Sequence, residues 1–179
     1  QAQQALVAAL ADAGHFERAR EALAALLREQ PSMPPSPAAQ FGGYARLVAA
    51  LDRAGRRSEA DALFAEARRH AEQSPAERGR LLAALVEADS FDRATAELDR
   101  LVPLGWSPQG AEHAAVLRVL AAAGRIEVMR ERVPALLEEL STSESREWAR
   151  EVTQALADAG LCSEAMAVTD RMPVRQDVR

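Results

Sequence analysis

Three histidines, a single cysteine and scattered carboxylates are the side chains here whose types could carry chemistry. Their spacing gives them little to do together. His15, His70 and His113 stand in unrelated surroundings, with no His-x-x-x-His pair and no Cys–His set, so no metal site is expected. His15 falls in a turn. His70 follows Glu66 by one helical turn on a face with Arg68 and Arg69, and His113 adjoins Glu112. Each reads as a surface or packing histidine. Cys162 stands near a helix start, where thiols can become reactive, but no histidine is near it in sequence; it reads as a small buried apolar residue. Glu138 and Glu139 are adjacent on a helix, so their side chains diverge instead of converging on a substrate. Without lysine there is no Gly-x-x-x-x-Gly-Lys-Ser/Thr phosphate loop, and no Gly-x-Gly-x-x-Gly occurs. Gly105-Trp106-Ser107-Pro108-Gln109-Gly110 is one residue too long for a Gly-x-Ser-x-Gly nucleophile elbow and reads as a turn. The chain is expected not to be an enzyme and to use no cofactor.

Composition narrows the fold that positions these residues. The chain has 179 residues, of which 40 are alanine and 4% aromatic; all 22 basic residues are arginine, asparagine is absent, and Ile126 is the single isoleucine. Strand formers are scarce and helix formers abundant, which excludes an all-β fold. The bias is that of a GC-rich bacterial coding sequence. A net charge of −5 argues against nucleic-acid binding by bulk electrostatics. A lone cysteine cannot form an intramolecular disulfide, so nothing points to an oxidising compartment, and a cytoplasmic location is expected. No apolar run approaches the ~20 residues that span a bilayer, and no signal peptide is visible, so no membrane partner is expected. The chain opens on Gln1, and its last segment, 172–179, leaves the helical pattern without an obvious cap. A fragment of a longer protein is expected.

The main signal is an internal repeat. Leu10-Ala11-Asp12-Ala13-Gly14 recurs as Leu51-Asp52-Arg53-Ala54-Gly55, Leu85-Val86-Glu87-Ala88-Asp89, Leu120-Ala121-Ala122-Ala123-Gly124 and Leu156-Ala157-Asp158-Ala159-Gly160, at spacings of 41, 34, 35 and 36. The turn residue ends a helix where left-handed backbone is needed; glycine takes it without penalty, and Asp89 is of a type that tolerates it. An acidic residue follows three or four positions on (Glu17, Glu59, Asp92, Glu127, Glu164), in the first turn of the next helix, where it complements the helix dipole. Five positions after each turn comes Ala19, Ala60, Ala94, Met129 or Ala165, where two helices must approach closely. Apolar residues upstream keep helical spacing: Leu6 and Leu10; Leu47, Val48 and Leu51; Leu81, Leu82 and Leu85; Val116, Leu117 and Leu120. Phe16, Leu23, Leu26 and Leu27 form the matching stripe of the first unit's second helix. Four prolines within 31–37 predict a loop between repeats, and Pro134 is expected to kink its helix or to start a new one after Val133.

Cadence and pattern resemble the tetratricopeptide repeat family. The first unit carries the match best, with Leu6, Leu10, Gly14, Phe16, Ala19, Leu23 and Pro31 at the family's marked positions; Gln3 stands where the family has Trp, and Val7 where it has a small residue. The third and fourth units also resemble pentatricopeptide repeats, through Leu104-Gly105-Trp106-Ser107-Pro108. The resemblance covers roughly residues 1–172. It implies an all-α, right-handed α-solenoid of about five antiparallel helix-turn-helix repeats, a single domain over 1–179 with units near 1–33, 38–73, 75–105, 108–141 and 144–172. One pair cannot bury its apolar faces alone, and stacking pairs completes the core.

The same resemblance implies a concave groove lined by the first helix of each pair. Its candidate partner-binding residues are Gln4, Asp12, Asp52, Arg53, Glu87, Arg118, Arg150 and Gln154, among many small residues such as Ala8, Ala45, Ala49, Gly79 and Ala114. The plainer reading of the alanines is close packing between helices. The family's carboxylate clamp needs Lys and Asn, and this chain has neither. Arg53, Arg118 and Arg150 could hold a carboxylate or phosphate bidentately, although a solvated face with local ion pairs is the plainer reading. Protein or peptide binding is expected, as a scaffold or sensor module of a larger bacterial regulatory protein. Two alternatives stand beside it. An RNA reader would place polar side chains at Gln4, Ala45, Gly79, Ala114 and Arg150, but alanine and glycine cannot bond a base edge. A small-ligand-sensing regulator would need convergent groups, for which Asp52, Glu87 and Arg118 are the trio. Trp106 and Trp148 read as packing aromatics. Val168, Met172, Pro173 and Val174 would leave an apolar end, predicting further chain or self-association there.

Overall fold

Five helices of the chain end on the same backbone device. A computed structural model describes residues 2–28, 37–140 and 146–172, with side chains over 5–28, 40–140 and 148–172. The elements are α1 (Ala2–Asp12), α2 (Phe16–Arg28), α3 (Pro37–Arg53), α4 (Arg57–Ala71), α5 (Pro75–Glu87), α6 (Phe91–Leu101), a 3-10 turn (Val102–Leu104), α7 (Glu112–Ala122), α8 (Ile126–Glu139), α9 (Arg146–Asp158) and α10 (Cys162–Arg171). The chain is all-α; among the described residues there is no strand.

The recurrent pentapeptide is a helix stop whose bonds also start the next helix. Gly14, Gly55, Asp89, Gly124 and Gly160 all have positive φ, between 55° and 79°. The amide after each of them returns to the leucine that opens the pattern. His15, Arg56, Ser90, Arg125 and Leu161 N–H donate to the Leu10, Leu51, Leu85, Leu120 and Leu156 carbonyls at 2.8–2.9 Å. This six-to-one bond, with the shorter one from the turn residue, is the Schellman closure of a helix C-terminus. The carbonyl of that same residue then accepts from the amide of Ala19, Ala60, Ala94, Met129 or Ala165, the first intrahelical bond of the next helix. Those five side chains are buried. Glu17, Glu59, Asp92, Glu127 and Glu164 all lie in first helical turns. The chain therefore reverses direction within three residues, five times over.

Two compact units form, Gln1–Glu97 and Leu98–Arg179. In the first, α1 packs on α2 and α3, α2 on α3, and α3 and α4 on α5. Its core holds Phe41, Tyr44, Leu47, Leu51, Leu81, Leu82 and Leu85. Each such side chain contributes about 1.5–3 kcal/mol by leaving water. Tyr44 keeps its polar tip satisfied, with Oη donating to Glu66 Oε1 at 2.7 Å. Burial first, then that hydrogen bond, pushes its phenol above the usual value. Helix α5 starts on a Ser74 cap that accepts from the Glu77 amide, with Pro75 at its first position. In the second unit α7 packs on α8 and α9, and α10 on α8 and α9. Leu117, Leu120, Met129, Leu136, Val152, Leu156 and Val168 fill its core.

Several sequence expectations need correction. Leu6 is 51% exposed, because α1 turns Val7, Ala8 and Ala11 inward instead; Leu10, Phe16 and Leu27 are half-buried. Pro37 is not loop but the first residue of α3, a position where its missing amide costs nothing. Helix α8 runs through Pro134 from Ile126 to Glu139, and no new helix starts after Val133. Cys162 is exposed, not buried. The inward stripe of α10 is Ala165 and Val168, led by the buried cap residue Leu161, and Cys162 lies one position, about 100°, round from Leu161. Val168 is fully buried, so it adds nothing to an apolar end, and Met172 is half-buried. The loop prolines 31–35, with Pro173 and Val174, lie outside the described residues.

Candidate functional site

Helix ends, not helix faces, gather the charges of the first unit. Asp12 closes α1, Arg53 closes α3 with Asp52 just before it, and Glu87 closes α5. With the starts of α4 and α6 these ends enclose an open hollow of about 990 Å³. Four of the eight sequence candidates, Asp12, Asp52, Arg53 and Glu87, line it. Reasoning from first helices alone missed Arg46, higher on α3, and the second-helix side chains Arg57, Asp61, Asp92 and Arg93. The acidic first-turn position, noted as a dipole device, was the signal for Asp92; nothing in the repeat singles out Arg93.

Arg93 organises the floor of the hollow. Its Nε donates to Asp52 Oδ2 at 2.5 Å, and its Nη2 donates to Asp52 Oδ1 and Asp61 Oδ1, both at 2.8 Å. The guanidinium also lies 5.3 Å from the Phe64 ring centre, and Arg68 covers the same ring at 4.4 Å. Hydrogen bonding to Asp52, partly opposed by burial, raises the Arg93 guanidinium above its ordinary value, so it stays charged. A smaller hollow of about 380 Å³ adjoins, sharing Asp61, Asp92 and Arg93 and reaching Phe64 and Ala96. At the rim Arg53 Nη2 donates to Asp12 Oδ1 at 3.0 Å. Asp52, Arg53 and Asp12 are therefore engaged with the protein itself. Arg46, Arg57, Glu87, Asp89 and Asp92 line the hollow without an ion pair or side-chain hydrogen bond among the described residues.

Of the small residues named for the expected groove, Ala49 lines the hollow and the others do not. Ala8, Ala45, Ala49, Gly79 and Ala114 are buried where helices meet, the plainer of the two readings weighed for them. The Gln4 side chain lies outside the described set. In the second unit Arg118 on α7 and Arg150 on α9 are exposed, with no ion pair among the described residues. Gln154 Nε2 donates to Asp158 Oδ1 at 2.7 Å, one turn along its own helix. Of the trio Asp52, Glu87 and Arg118, the first two share the hollow and the third belongs to the second unit.

The histidines separate by role. His15 is exposed in the first turn, and His70 lies 5.9 Å from the Tyr44 ring. His113 is buried near the start of α7, its Nε2 2.9 Å from Glu139 Oε2 and its ring 5.4 Å from that of Trp148. Trp148 thus packs on the preceding hairpin. Among the described residues, no three or more His, Cys, Asp or Glu side chains converge as metal ligands would, and no helix is long and apolar enough to cross a membrane. No family model matches the chain, and no curated protein matches it either.

Proposed function

We propose that the chain is a helical-repeat binding module, its hairpins stacked within each unit as turns of a right-handed α-solenoid like that of tetratricopeptide arrays, and that it recognises a protein or peptide. In this reading it is a scaffold or sensor segment of a larger bacterial regulatory protein. Five identical helix closures and the packing of alternate helices, α1 on α3 on α5 and α7 on α9, support the stacked arrangement. The observation that carries the binding reading is the open hollow of the first unit, with charged side chains left unengaged around a cross-linked floor. Unsatisfied charge costs little while the site is wet, and it supplies specificity when a partner displaces that water. Against RNA stand the buried Ala45, Gly79 and Ala114, where base-reading side chains would be needed.

The test is selection of a displayed random-peptide library on the whole chain, with Arg46→Glu/Arg57→Glu as the counter-selected variant. A peptide-binding module returns sequences whose synthetic peptides bind the chain and weaken at least tenfold on the variant. Libraries yielding no peptide that binds in solution would overturn the proposal.

A further inference from the structure

The unengaged charges around the hollow carry both signs, and they come from different elements. Arg46 and Arg57 belong to α3 and to the start of α4; Glu87, Asp89 and Asp92 belong to the α5–α6 turn. No ion pair within 4.0 Å joins one set to the other. Between them, Arg93 holds Asp52 and Asp61 through Nε and Nη2 and offsets one of their two negative charges, so the floor stays acidic by one charge. An acidic segment would suit Arg46 and Arg57 but would meet the carboxylates of the turn. A basic segment would have the opposite difficulty. Like-charge juxtaposition costs several kcal/mol in a desolvated interface. Only a partner carrying both signs in the right order relieves each set.

We infer that the hollow docks a polypeptide segment of mixed charge, its basic side chain on the α5–α6 turn and its acidic side chain on Arg46 and Arg57. This deepens the binding reading proposed above and rests on it. A polypeptide fits better than a small zwitterion for two reasons. Small-ligand sites enclose their occupant in mostly apolar walls, whereas this hollow is open and its rim is charged. Its volume of about 990 Å³ is also at the upper end of the range for such sites.

Four displayed libraries decide it, identical in their uncharged positions. Their charged positions are restricted to Arg and Glu together, Glu alone, Arg alone, or none. All are selected on the full chain. The mixed library is expected to give the tightest synthetic peptides. Their binding should fall at least tenfold on Arg46→Glu/Arg57→Glu and at least tenfold on Glu87→Gln/Asp89→Asn, a pair that keeps a residue tolerant of positive φ at position 89. Exchanging the acidic side chain of such a peptide for a basic one should restore binding to Arg46→Glu/Arg57→Glu. Circular dichroism of each variant confirms its fold. Peptides from single-sign or uncharged libraries that bind as tightly, or binding indifferent to both variants, would overturn the mixed-charge inference while leaving peptide recognition standing. Failure of all four libraries would overturn both.

Discussion

Removing the Arg93 guanidinium tests whether the hollow has a built floor or merely a crowd of surface charges. The perturbation is Arg93→Ala. The Arg93 side chain is 16% exposed, that of Asp52 32% and that of Asp61 68%. The Asp61 contact is therefore screened and counts for at most about 0.5 kcal/mol. The two bonds to Asp52 are charge-assisted and two-thirds shielded, which places the pair at about 1.5–3 kcal/mol. Contact with Phe64 adds about 0.5 kcal/mol. A loss of about 2–4 kcal/mol is expected, below the ~3–5 kcal/mol of a fully buried pair because water still reaches the Asp52 carboxylate. Both tryptophans lie beyond residue 97, so native-state amide exchange over α3, α5 and α6 is the appropriate readout. Arg93→Lys keeps the charge without the fork and should recover less than half of the loss. A double-mutant cycle with Asp52→Ala should give a coupling of about 1–2 kcal/mol. Destabilisation under about 0.5 kcal/mol, or additivity of the two changes, would show that the floor is ordinary surface.

Further expectations follow from the same geometry. Gly55→Ala should cost about 1 kcal/mol in denaturant unfolding although its added Cβ meets open space, because the penalty lies in the positive φ; Asp89→Gly should gain about 0.5 kcal/mol for the converse reason. Pro134→Ala should stabilise the second unit by about 1–2 kcal/mol, since the exposed proline removes an amide from the interior of α8 and its deletion leaves no cavity; a lower midpoint would mean that packing of α8 requires the proline. Hydrogen bonds from Arg125 and Arg130 hold the Asp99 and Glu164 carboxyls below their ordinary values. Folded pKa values that are depressed give stability present above the unfolded carboxylate value, about 4, and lost as pH falls through the folded one. Thermal midpoints measured from pH 6 down to pH 2.5 should fall less steeply in Asp99→Asn/Glu164→Gln than in the parent, and an unchanged slope would contradict this.

What the sequence disclosed was backbone, and what it concealed was charge partnership. Leu-x-x-Ala-Gly is legible because each of its requirements is local: a carbonyl acceptor at the leucine, a left-handed residue at the end, a small side chain five positions on. Local requirements repeat wherever the device repeats, and all five copies obey them, including the one that uses Asp89. Burial of Cys162 was misjudged because one position along a helix rotates a side chain by about 100°, and composition carries no phase. The site fails for a different reason. Asp52 lies at a position that a groove would use, yet its partner Arg93 stands 41 residues away on a helix of another hairpin. No periodicity links them, because the separation depends on how hairpins pack and not on any turn. Glu87, identical in charge and similarly placed at a helix end, is left unengaged. Two acidic residues in equivalent turns of the repeat thus part company, one bonded into the protein's own scaffold and the other left facing the hollow, and the placing of Arg93 on α6 against the end of α3 decides which.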